Sequence, residues 1–119
     1  MSRSLLQEKS LAFAVRCVGL YKSLTIERQE YVLSKQVLRS GTSIGANIAE
    51  SRNAQSDADF ISKHAIALKE ADETHYWFEL LRLTGYLEEK ESVSLEKDLS
   101  ELIAMLTSTI KKKKTNGGV

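Results

Sequence analysis

Proline is absent from this 119-residue chain, and with it the commonest helix breaker, so long uninterrupted helices are the first expectation. A single cysteine, Cys17, cannot close an internal disulfide, and nothing therefore ties the fold to an oxidising compartment. No apolar run approaches membrane-spanning length, and the N-terminal residues lack the apolar core of a signal peptide. No membrane contact and a cytoplasmic location are expected on that basis. Charge of one sign is also missing: the net charge of +1 neither requires nor excludes a polyanionic partner. Its distribution is uneven, with residues 1–55 mildly basic and residues 56–90 carrying eight acidic against four basic side chains. An oligomer could gather such an asymmetry onto one surface.

What is present is helical periodicity. The length suffices for one domain with a real core. A first helix is expected from Ser4 to Leu24, with Leu6, Phe13, Cys17, Leu20 and Leu24 on one side and Ala14 and Tyr21 widening it. A second is expected from Arg28 to Arg52, with Leu33, Val37, Ile44 and Ile48 on one face. Ser56 and Asp59 match a capping box for a third helix, whose inner face reads Phe60, Ala67, Leu68, Ala71, Phe78 and Leu81 and whose end is Thr84-Gly85. Ser92 or Ser94 can cap a fourth, in which Leu95, Leu99, Leu102, Leu106 and Ile110 alternate by four and three residues, strengthened by Ile103. Lys111–Lys114 are expected to end it. No strand-like alternation or internal repeat appears. The fold expected is all-α, an antiparallel up-down-up-down four-helix bundle over residues 1–114, with residues 115–119 as a disordered tail.

The most informative stretch is Gln36 to Glu50. Gly41, Gly45 and Ala49 repeat every fourth position, a row with almost no side chain beside the apolar stripe. Each glycine costs about 1 kcal/mol relative to alanine inside a helix. Close approach of another helix backbone compensates, through contacts that a larger residue forbids. Asn47 and Glu50 follow on neighbouring helix positions. As a catalytic pair Glu50 would be a base and Asn47 a positioning amide. As structural groups Asn47 would hydrogen-bond across the bundle and Glu50 would pair with a basic neighbour, and Gly41, Gly45, Asn47 and Glu50 then form one helix-packing motif.

Other constellations have similar double readings. Asp72 and His75 have the spacing of half a di-metal site, but no second Glu-x-x-His element exists, and neither a metal nor another cofactor is expected. Tyr76 and Trp77 cannot both share the inner face with Phe78, so they are candidate subunit-interface residues. Lys35, Arg39, Arg52 and Lys63 are the candidate nucleic-acid-binding cations, a band able to meet phosphates if a ring repeated them; otherwise they form a solvated surface. Gly41-x-x-x-Gly45 lacks the lysine and serine/threonine continuation of a phosphate loop. Nothing pairs a nucleophile, base and oxyanion site, so no catalytic residues are assigned and no enzyme is expected.

Ser34 to Glu50, followed by Phe60-Ile61 and Ile66-Ala-Leu-Lys-Glu-Ala71, resembles the four-helix-bundle proteins first noticed in intervening sequences of bacterial 23S ribosomal RNA genes. The resemblance runs from Leu5 to Ile110, and Arg39-Ser-Gly-Thr-Ser-Ile-Gly-Ala-Asn-Ile-Ala-Glu50 carries most of it. It implies a homopentameric ring and, through the related accessory proteins of diversity-generating retroelements, contact with RNA, DNA or a nucleic-acid-handling enzyme. Lys69 to Trp77 looks like a stand-alone subgroup of that family. Two functions follow: an oligomeric bundle protein that contacts nucleic acid or such an enzyme, and an oligomeric scaffold for a protein partner with no nucleic-acid role.

Overall fold

The reciprocal bonds at the N-terminus show how local chemistry starts this fold. Ser4 Oγ accepts from the Gln7 N–H at 3.2 Å while Gln7 Oε1 accepts from the Ser4 N–H at 2.8 Å, a full capping box. From there α1 runs over Leu5–Glu27 in a computed structural model that describes residues 3–117. Three further α-helices follow: α2 (Leu33–Glu50), α3 (Asp57–Leu83) and α4 (Glu89–Gly117), with one 3-10 turn over Ser51–Asn53. Consecutive helices pack side by side, α1 also meets α4, and the chain closes an up-down-up-down bundle measuring 51 × 23 × 22 Å. The diagonal helices α1 and α3 meet through core side chains; Phe13 and Phe78 make an edge-to-face contact at 6.1 Å.

The apolar stripes fill the centre as their spacing requires. Leu6, Phe13, Cys17, Leu20 and Leu24 are buried, as are Val37, Ile44 and Ile48, Ala67, Ala71, Phe78 and Leu81, and Leu95, Leu99, Leu102 and Leu106. Phe60, Leu68, Ile103 and Ile110 are half-buried at the margins. Ser56 Oγ caps α3 by accepting from Asp59 N–H at 3.0 Å, while the Asp59 carboxylate reaches back to Gln55 N–H. Gly85, at φ +83°, ends α3 in a Schellman turn: Tyr86 N–H donates to Leu81 O and Gly85 N–H to Arg82 O.

Three boundaries differ from the sequence reading. The second helix does not begin at Arg28. Gln29 adopts a left-handed φ of 54°, and Glu30 N–H donates to Leu24 O, so residues 28–32 form a turn. Glu30 then caps α2 with its carboxylate, accepting from the N–H groups of Val32, Leu33 and Ser34 at 3.2, 3.0 and 2.7 Å. The fourth helix starts at Glu89 rather than at a serine cap: Ser92 N–H already donates to Glu88 O, and Ser92 is buried. It passes through Lys111–Lys114 to Gly117, so positions 115–117 of the expected tail are helical; residues 118 and 119 lie outside the described residues.

The Glu30 cap carries a prediction. Burial opposes its ionisation more than any other single influence. The donors from Leu33, Ser34 and Val32, with the Ser34 hydroxyl, outweigh burial and hold its carboxyl below the ordinary 4.5. A carboxyl lowered on folding stabilises above the unfolded value, and that contribution disappears as pH falls through the folded one. Glu30→Ala should cost about 1 kcal/mol at neutral pH, the usual worth of a cap. The wild-type and variant urea midpoints should converge as pH falls below the ordinary glutamate range.

Candidate functional site

The glycine row works inside the protomer. A Cβ at Gly41 would overlap Cys17 Sγ and stand 3.2 Å from Cys17 Cβ; one at Gly45 would stand 3.3 Å from both the carbonyl oxygen and the hydroxyl of Ser10. The close neighbour is therefore α1. Asn47 does not bond across the bundle: its Nδ2 donates to Ser43 O, one turn back on α2, at 2.9 Å. A short amide side chain satisfied on its own helix cannot span to another. Glu50 pairs with Lys63 of α3 at 3.0 Å.

The four candidate cations differ in their partners. Arg39 is held at the α2/α3 seam by Glu73, in a direct ion pair, and by Glu70 at 3.5 Å. Glu73 Oε2 also accepts from Trp77 Nε1 at 2.9 Å. Lys63 is bound by Glu50, whose hydrogen bond and charge keep its ammonium above the ordinary range, with Asp59 adding to the effect. Lys35 and Arg52 are exposed, with no ion pair among the described residues. Arg39 and Arg52 stand 13 residues apart in sequence, about 20 Å along a helix axis. Carboxylates thus occupy two of the four, Arg39 and Lys63.

Two apolar faces remain. Tyr76 is 56% exposed and meets the half-buried Trp77 edge to face at 5.0 Å. The hydroxyls of Thr74 and Ser40 are hydrogen-bonded at 2.9 Å, which fixes the antiparallel register of α2 and α3. Nine residues back from Ser40 and nine forward from Thr74 place Tyr31, in the turn before α2, toward the same end of the bundle as Leu83. Tyr31, Val32 and Leu83 are all exposed, so this end carries an aromatic and aliphatic patch. The sequence reading missed those three, since it placed residues 28–32 inside a helix. The other face lies on α1, where Leu11, Val15 and Val18 are exposed at helical spacing. Beside it Leu11, Ala14, Gly45, Ala46 and Ala49 line a groove of about 250 Å³, open to Arg3 and Arg52 at one end.

Among the described residues no three His, Cys, Asp or Glu side chains are grouped to hold an ion. His75 instead meets Glu96 of α4 at 2.6 Å, and this bond, with the charges of Glu96, Glu79 and Asp72, raises its imidazole above the ordinary range against a lesser burial effect. His64 is buried, with its ring stacked on Phe60 at 4.1 Å and Nδ1 at 3.0 Å from Phe60 O. Burial lowers its pKa, so the ring is neutral at pH 7, and this polar core residue too was missed. Cys17 is fully buried, and desolvation pushes its thiol up to about 12, which leaves it an unreactive packing group. Among the described residues no helix is long and apolar enough to cross a membrane.

Comparison with known proteins agrees with this architecture. The chain is similar to a crystallised protein of unknown function from the S23 ribosomal protein family of Bacteroides thetaiotaomicron VPI-5482. The two are 56% identical, with 90% of this chain and 96% of that one covered and a TM-score of 0.89. No curated protein matches. The family described as 23S rRNA-intervening sequence protein matches residues 4–108, and this bundle belongs to it.

Proposed function

We propose that the protein is a non-enzymatic scaffold whose protomers assemble into a ring through apolar faces, and that its four candidate cations do not form a nucleic-acid band. The observation that carries this reading is the pair of unpartnered apolar faces. One is on α1 (Leu11, Val15, Val18) and the other on α3 with the α1–α2 turn (Tyr76, Leu83, Tyr31, Val32). They lie on diagonal helices and are unlike each other. Two unlike faces favour a heterologous contact, in which one face of each protomer meets the other face of the next, and such contacts close into rings when the rotation permits. A pentamer follows from the family resemblance. The ion pairs that occupy Arg39 and Lys63 support the absence of a nucleic-acid band, because phosphate binding draws its strength from uncommitted charge.

Light scattering tests the assembly. Val15→Glu and Tyr76→Glu should each convert the ring to monomers. Mixing the two variants should give a dimer, because one intact pair of unlike faces survives between them. A wild-type monomer, or a mixture that stays monomeric, would refute the heterologous ring. Labelled single-stranded RNA titrated against the wild type between about 50 and 200 mM salt should show no steep loss of affinity. A steep slope would favour the nucleic-acid reading.

A further inference from the structure

The end of the bundle where α1 begins and α4 finishes holds a cavity of about 460 Å³, within the usual size of small-molecule sites. Its apolar wall comes from Leu6, Ile48, Phe60 and Met105. Its polar wall comes from Ser4, Gln7, Ser51, Arg52, His64 and Thr109. Three of these polar groups are already committed. Ser4 and Gln7 cap each other, and Ser51 Oγ donates to Ile48 O at 2.6 Å.

His64 is different. It is 3% exposed, and its Nδ1 lies against a carbonyl oxygen, so Nδ1 carries the proton and Nε2 is left as a bare acceptor. Nε2 has no hydrogen-bond partner among the described residues, and it is not a sealed atom, since only Glu70 Oε2 is both buried and unpartnered among them. An acceptor that opens onto a cavity is free to take a donor from a ligand seated there. Arg52 supplies the opposite chemistry: an exposed guanidinium with no ion pair among the described residues, on the rim shared by this cavity and the α1/α2 groove. Lys112 and Lys113 stand beside Phe60 and Thr109 on a neighbouring hollow, with Lys113 paired to Asp57 and over the Phe60 ring at 4.8 Å. Among the described residues that line the cavity itself, Arg52 alone carries a full charge.

We propose that this cavity binds a small organic acid with an apolar body. Its carboxylate meets Arg52, its body packs on Leu6, Ile48, Phe60 and Met105, and an N–H or O–H at its far end donates to His64 Nε2. The site is separate from the two apolar faces and does not depend on the ring.

Indole-3-acetate presents all three features and serves as the probe. Indole lacks the carboxylate, and 1-naphthylacetate lacks the donor. Titration into the wild-type protein, followed by the His64 ring-nitrogen resonances, should shift Nε2 with indole-3-acetate. Indole and 1-naphthylacetate should each bind about tenfold more weakly, the usual loss when one partner of a charged or buried hydrogen bond is removed. Arg52→Gln, at an exposed position, should bring indole-3-acetate down to the affinity of indole. An unmoved Nε2 resonance at millimolar indole-3-acetate overturns the proposal. So does equal binding of all three compounds, which would mean an apolar hollow without selectivity, or an unchanged affinity in Arg52→Gln.

Discussion

Gly41→Ala is expected to lower the unfolding free energy by about 1–3 kcal/mol, the typical cost of overpacking a filled core. On an open helix the same change would stabilise by about 1 kcal/mol, because alanine is the better helix former. The sign reverses here because the new methyl group would overlap Cys17 Sγ and crowd Cys17 Cβ, and Cys17 has 0% exposure, so its side chain has little room to turn away. Cys17→Ala in the same chain removes the sulfur and should recover much of the loss. The coupling between the two substitutions, read from urea unfolding of the two single variants and the double, should therefore be favourable and above about 1 kcal/mol, as for residues in direct contact. Gly45→Ala is the internal contrast. Its Cβ would meet Ser10 at 3.3 Å without overlap, and its neighbouring groove is open, so helix propensity and crowding nearly cancel. A Gly41→Ala protein as stable as the wild type would mean that α1 slides freely on α2.

The parts of this fold that were readable are those decided by local spacing. Leu95, Leu99, Leu102 and Leu106 announce the inner face of α4 because nothing else in the segment competes for it. The α1 stripe and the Gly85 cap were equally plain. The turn at residues 28–32 was not, because Gln29 has no intrinsic preference for a positive φ. The bond from Glu30 N–H to Leu24 O and the three N–H groups gathered by the Glu30 carboxylate hold it there. A glutamate two residues before an N-cap is not a recognised signal, so the helix was carried five residues too far upstream.

The site was less legible than the fold for a different reason. Phe60, His64, Ala67, Ala71, Thr74, Phe78 and Leu81 follow one another at steps of four and three, so a strict reading of the period would have placed His64 and Thr74 in the core despite their polarity. His64 Nδ1 and Thr74 Oγ1 are paired there with carbonyls one turn back, Phe60 O and Glu70 O. The glycine row showed that a backbone approaches but not which helix supplies it. Pairings between helices need the register of two segments more than 30 residues apart, and Ser40 with Thr74 supplies it only once the bundle is folded. Arg39 and Lys63 looked available for a band with Lys35 and Arg52 because their counter-charges are remote in sequence.

Arg39→Ala gives the sharpest separation between the two functional readings, because each expects a different loss. In the structure Arg39 lies 3.5 Å from Glu70 Oε2, a buried carboxylate oxygen with no hydrogen-bond partner, and pairs with Glu73 on the same side. Removing the guanidinium leaves the Glu70 charge uncompensated. The cost should be about 1–3 kcal/mol, the range for an orphaned buried polar group. It falls short of a fully buried pair because the Arg39 side chain is 53% exposed and partly screened by solvent. Glu70→Met added to Arg39→Ala should restore stability, since an apolar side chain of similar length needs no counter-charge. Arg39→Lys should lose part of it, because a single ammonium cannot bridge two carboxylates as the planar guanidinium does. A phosphate-binding arginine would behave otherwise: its loss would leave the melting temperature unchanged and reduce the salt slope of RNA binding by about one unit. Thermal unfolding and salt-dependent RNA titration of the same Arg39→Ala sample therefore decide the role of this side chain, with a lowered melting temperature and an unchanged slope as the expected pair.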